Sequence, residues 1–157
     1  MKRILIVLLL MILTLSGCKK GSNIQIGDSM TMISDEHTPF IFLNSLSVFR
    51  IDDTYIIVIE ENGVAQKIVE FSSDRKCHTA QGLVLVENED INQYLDKSLN
   101  ELKENFGEVH ADIGSGFYIP AYITENGYLI CLEVENDIVY DVIKRDLLTD
   151  VIVECLP

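Results

Sequence analysis

"YLICLEVENDIVYDVI", residues 128 to 143, decides the architecture expected of this chain. Apolar and β-branched residues fill both halves, and Glu135-Asn136-Asp137 parts them with residue types that suit a tight hairpin turn. Successive side chains of a strand point to opposite faces. Tyr128, Ile130, Leu132 and Val134 therefore share one face, and Leu129, Cys131 and Glu133 the other. Upstream, "FYIPAYIT" joins this hairpin through Glu125-Asn126-Gly127, and downstream "VIVECL" offers a fourth strand.

Ahead of these strands "DKSLNELKENFGE" places Leu99, Leu102 and Phe106 at helical spacing. Ser98 and Glu101 suit a capping box at its start, and Gly107 suits a left-handed stop at its end. The same order occurs earlier in the chain. "GDSMTMISDEHTP" sets Met30, Ile33 and His37 where the later stretch has Leu99, Leu102 and Phe106, an offset of 69 residues. "LSVFRI", "YIIVIEE" and "VAQKIVEF" follow, with turns at Asp52-Asp53 and Asn62-Gly63, and "GLVLVEN" reads as a fourth strand. The first helix is the weaker: Thr31 lowers propensity, no capping box is visible and Pro39 closes it early.

The expected fold class is α+β: two tandem units, each a short helix packed on a three- or four-stranded antiparallel sheet. The units span residues 24–90 and 91–157. The later one, with "SLNELKENFGE", the loop Gly114-Ser115-Gly116 and "YITENGYLICLEV", resembles the small repeat of the β-lactamase inhibitor protein family. It is also similar to the unit of the small barrel-assembly lipoproteins. The resemblance implies a helix on an antiparallel sheet and a non-enzymatic role in binding proteins. His37-Thr38-Pro39 departs from the pattern, where the helix-ending Phe and Gly would fall.

The start of the chain carries a different message. Lys2 and Arg3 precede an apolar run from Ile4, and Leu15-Ser16-Gly17-Cys18 follows. A charged region, a short apolar region and small residues make the layout of an export signal. The run is shorter than the ~20 apolar residues of a stable spanning helix. The tetrapeptide resembles the bacterial lipobox, which implies that residues 1–17 are a lipoprotein signal peptide, that the Cys18 thiol takes a diacylglycerol, and that 18–23 form a lipidated linker. Such acylation implies an anchor in the cell membrane, with the body on its extracytoplasmic face.

Charge limits the partners. Twelve basic residues, less Lys2 and Arg3, leave ten against 25 acidic ones, a mature net charge near −15. That excludes nucleic acid, whose phosphates bind through Lys and Arg. Lys19 and Lys20 flank the lipid and suit an anionic membrane surface. Beyond Cys18 stand Cys77, Cys131 and Cys155, an odd number that leaves open one disulfide with a free thiol or three thiols. Cys131 and Cys155 lie in apolar runs and are expected to be buried; Cys77 is expected to be more exposed.

No constellation reads as catalytic, so the chain is expected not to be an enzyme and to carry neither cofactor nor metal. His37, His78 and His110 are scattered without ligand spacing. Cys77-His78, beside Arg75 and Lys76, carries the competing reading, a thiol-dependent or hydrolytic envelope enzyme. Neighbouring residues of an extended segment point apart, however, which opposes a nucleophile–base pair. Gly114-Ser115-Gly116 lacks the Lys-Ser/Thr of a phosphate loop. Phe117, Tyr118, Tyr122 and Tyr128 cluster around one hairpin and are the expected partner-binding residues, facing another envelope or extracellular protein.

Overall fold

The computed structural model describes residues 23–87 and 89–156. Residues 1–17, read above as a signal peptide, and Cys18, expected to carry the lipid, lie outside them. Among the described residues no helix is long and apolar enough to cross a membrane.

Two five-stranded antiparallel meanders dominate. The first runs through β1 (Pro39–Leu43), β2 (Leu46–Ile51), β3 (Thr54–Glu61), β4 (Val64–Ser72) and β5 (Cys77–Gln81). The second runs through β6 (Ala111–Asp112), β7 (Pro120–Ile123), β8 (Tyr128–Glu135), β9 (Ile138–Asp146) and β10 (Val151–Leu156). Two short helices accompany them, α1 (Met30–Glu36) and α2 (Leu99–Phe106), with a 3-10 turn at Ile91–Gln93.

This overturns the α+β reading of two helix-on-sheet units with three or four strands each. The protein is mostly β, and its largest apolar cluster lies between the sheets. Ile41, Leu46, Val48, Ile57, Val69 and Phe71 of the first sheet meet Ala121, Ile123, Leu129 and Cys131 of the second, with Leu147 and Leu148 alongside. The physical reason is visible in β3 and β8. Each is an almost unbroken apolar run buried on both faces, and a helix of two turns can cover only one of those faces. The α1 helix buries Met30 and Ile33, and α2 buries Leu102. Both are covers on outer faces, the first over Phe49, Ile56, Val58 and Ile68, the second over Tyr122, Ile130, Leu132 and Val142.

Local signals hold where one or two residues set the backbone. Asn62 and Gly63 have φ of 55° and 76°, and Asn136 and Asp137 have 52° and 68°, the paired positive values of a tight hairpin. Ser98 caps α2 by accepting from the Glu101 N–H at 3.2 Å, and Glu101 pairs with Lys97 at 2.9 Å. Ser29 makes no side-chain cap on α1. Two strand expectations fail, and one strand was not expected. "PFIFL" forms β1, which the pattern did not reveal. "GLVLVEN" is no strand of the first sheet: Val86 instead bridges to Thr124 of the second. "FYIPAYIT" begins its strand only at Pro120.

The order of elements recurs, down to the pairing before each helix. Ser29 bridges to Val64 at the start of β4, and Ser98 bridges to Ile138 at the start of β9. β5 then pairs along the later part of β4, and β10 along the later part of β9. Thus β5 and β10 hold equivalent positions at the edges of their sheets.

Candidate functional site

The four aromatic residues expected to form one surface are not brought together. Phe117 and Tyr118 lie in the β6–β7 loop, 67% and 48% exposed. Asp112 pinches this loop, its Oδ1 accepting from the N–H groups of Gly114 and Ile119, each at 3.0 Å. The pinch needs glycine: a Cβ on Gly114 would stand 1.7 Å from the Phe117 carbonyl oxygen. Tyr122 is a core residue, correcting its place in a binding face. It is fully buried among Tyr94, Phe106 and His110, its hydroxyl donates to the Gly107 carbonyl at 3.0 Å, and burial pushes that hydroxyl up to about 12. Tyr128 stands beyond the opposite end of β7, half-buried between Arg75 at 4.8 Å and Lys144 at 4.4 Å.

Among the described residues the cysteines, Cys77, Cys131 and Cys155, are all free. Cys131 is buried, as its apolar run suggested, and burial pushes its thiol up to about 12. Cys155 is exposed, against expectation: it lies on an edge strand that is exposed at every residue but Leu156. Cys77 lies on β5 with its Sγ donating to the Thr79 carbonyl at 3.4 Å. Burial pushes this thiol up, and Glu125 and Glu70 add to that direction against the hydrogen bond. An activated nucleophile needs the reverse shift. The enzymatic reading at Cys77 gains no support from this geometry.

The histidines stay apart: His37 caps the end of α1, His78 is exposed on β5, and His110 is buried. Among the described residues no group of three or more metal-binding side chains gathers. His110 is a junction instead. Its Nδ1 accepts from the Ile123 N–H at 2.8 Å, and its carbonyl accepts from Lys67 of the other sheet at 2.7 Å.

A second exposed apolar surface, free of aromatic residues, lies on β10. Val151, Ile152 and Val153 are 54%, 63% and 53% exposed, consecutive on a strand whose only paired strand among the described residues is β9. The pairing is irregular at Val153, between Ile152↔Arg145 and Glu154↔Lys144, and such bulges re-aim side chains at sheet edges. Periodicity recognises "VIVECL" as a strand but carries no sign of which face is covered. Unbroken apolarity in a terminal strand is the signal available, and it reads equally well as core.

The chain was compared with protein-family models, with curated proteins and with solved structures, and it matches none of them.

Proposed function

We propose that this chain is an exported, lipid-anchored protein that binds another protein of the cell envelope along the free edge of β10. The single observation that carries the binding role is the exposure of Val151, Ile152 and Val153 on an edge strand that pairs on one side only among the described residues. Such an edge presents a row of N–H and C=O groups ready to pair with another chain. Extended segments dock on edges of this kind by adding a strand.

The anchor rests on Leu15-Ser16-Gly17-Cys18 behind an apolar run. In this reading Cys18 carries the lipid and the body stands at the extracytoplasmic face of the membrane. Five residue steps separate Cys18 from Asn23, a reach of at most about 18 Å.

Two measurements test the two halves of this reading. Cys18→Ser is expected to abolish acyl mass on the mature chain and to release or misprocess it; a mature terminus elsewhere without acyl mass overturns the anchor. A photo-crosslinking residue at Ile152 of the full chain, expressed in native cells, is expected to trap one protein. The same residue at Gln81, exposed at the equivalent edge of β5, serves as control and is expected to trap none. Absence of any adduct at Ile152 overturns the binding role.

A further inference from the structure

β5 and β10 occupy the same place in their sheets but present opposite chemistry. β5 reads Cys77-His78-Thr79-Ala80-Gln81, short and mostly polar, the usual way a free edge is protected from pairing. β10 reads Val151-Ile152-Val153-Glu154-Cys155-Leu156 and is exposed along most of its length. One of two equivalent edges is thus blunted, and the other is left apolar.

Charge selects what can cover it. Glu133 and Asp141 face each other across β8 and β9, an arrangement of like charges that disfavours the sheet. Asp141 Oδ1 is 4.0 Å from the Sγ of Cys155, and Glu154 lies in β10 itself. The nearby cations are already engaged: Lys144 pairs with Glu89 at 3.2 Å, and Arg145 pairs with Asp150. Among the described residues none of Glu133, Asp141 and Glu154 joins an ion pair. The edge therefore combines an apolar strip, open backbone groups and carboxylates that lack a cation.

We infer that the occupant of this edge is an extended, cationic segment of a partner protein, with Lys or Arg interspersed among apolar residues. This rests on the binding role proposed above and names the partner's chemistry. An added strand alternates its side chains between two faces. By the pairing of β10 with β9, Ile152 shares a face with Asp141, and Val151 shares the opposite face with Glu154, so apolar and basic residues of such a segment have counterparts on both faces. A second copy of this chain fits poorly, because it would set one acidic edge against another, each body carrying a net charge near −15.

The test uses the full chain in non-ionic detergent and three blocked peptides: alternating lysine and valine, the same with a central proline, and alternating glutamate and valine. The Lys–Val peptide is expected to bind, to shift backbone amide resonances over Val151–Leu156, and to weaken as salt is raised. Interruption by proline, which removes a ladder N–H, is expected to cost at least about tenfold in affinity. The glutamate peptide is expected not to bind. The pair Asp141→Asn and Glu154→Gln, which leaves the apolar strip intact, is expected to weaken the Lys–Val peptide by about fivefold or more.

Equal binding of the proline peptide, shifts mapping away from β10, or self-association of the chain through β10 each overturns the inference. The two proposals fail separately. A protein trapped at Ile152 through an acidic or helical segment overturns the cationic strand alone, whereas no adduct at Ile152 removes both.

Discussion

The Nδ1 of His110 accepts the backbone N–H of Ile123 at 2.8 Å inside the protein, so this ring nitrogen must carry no proton in the folded state. Burial, with the Lys67 ammonium nearby, holds the imidazole down at about 4 against an ordinary 6.5, and a hydrogen bond with the Val84 backbone only partly opposes this. The residue thereby joins β7, the 82–87 connection and Lys67 of the first sheet.

Stability should fall in acid for this reason. The unfolded chain takes up the His110 proton near 6.5 and the folded chain only near 4, so the contribution is complete at neutral pH and is lost as pH drops through that window. The full loss is on the order of 3 kcal/mol. Urea unfolding at pH 7 and pH 4 should show the steeper decline in the parent and a flatter one in His110→Gln. Identical pH slopes for the two proteins would refute the assignment.

Arg75 and Asp146 make a second link between the halves. The guanidinium donates to Asp146 Oδ2, and also to the Asn126 carbonyl at 3.1 Å. Asp146 is buried, and its Oδ1 accepts from the Leu148 N–H at 2.9 Å. Burial alone would raise this carboxyl, but the bonds from Arg75 and Leu148 hold it below the usual range. Arg75→Ala strands a buried charge and should cost about 2 kcal/mol, allowing for the partial exposure of the arginine. A double-mutant cycle with Asp146→Asn is expected to show coupling of about 1 kcal/mol or more; additive effects would mean that the pair contributes nothing.

Tyr122 and Tyr118 should separate cleanly in a stability scan. Removing the Tyr122 hydroxyl as Phe loses one bond to Gly107, about 1 kcal/mol, and Tyr122→Ala should cost about 3–5 kcal/mol. Tyr118→Ala, on an exposed loop, should fall within about 0.5 kcal/mol. Thermal and urea melts of the three variants check this order.

Thiol labelling distinguishes the cysteines by cover. Cys77 and Cys155 are exposed and should react in the native state, whereas Cys131, buried and pushed up to about 12, should react only on unfolding. Mass spectrometry after timed labelling counts the modified thiols. Fast reaction of Cys131 in the folded protein would contradict the core described above.

Much of the chain's local order was legible from its residues. Asn62-Gly63 and Asn136-Asp137 announce their hairpins because left-handed backbone favours these residue types. Ser98 and Gly107 bound α2 through their own hydrogen-bonding and φ preferences. The site was less legible. Tyr122 and Phe117 are both aromatic residues near one hairpin, yet one lies in the core and the other in a loop held by Asp112. No spacing separates these fates. "VIVECL" and "YLICLEV" likewise look alike as strands, though one is bare and the other buried on both faces.

By itself the sequence determined the hairpin turns at Asn62-Gly63 and Asn136-Asp137, the Ser98 cap of α2, most strand segments and the acidic charge. Each of these follows from backbone preference or composition within a few residues. Only the tertiary structure decided that two sheets bury their faces against each other, which moved the fold from helix-on-sheet units to a mostly β architecture, and that β10 remains uncovered. Burial is a relation between segments far apart in the chain, so an apolar strand states that it needs cover and leaves open which surface supplies it.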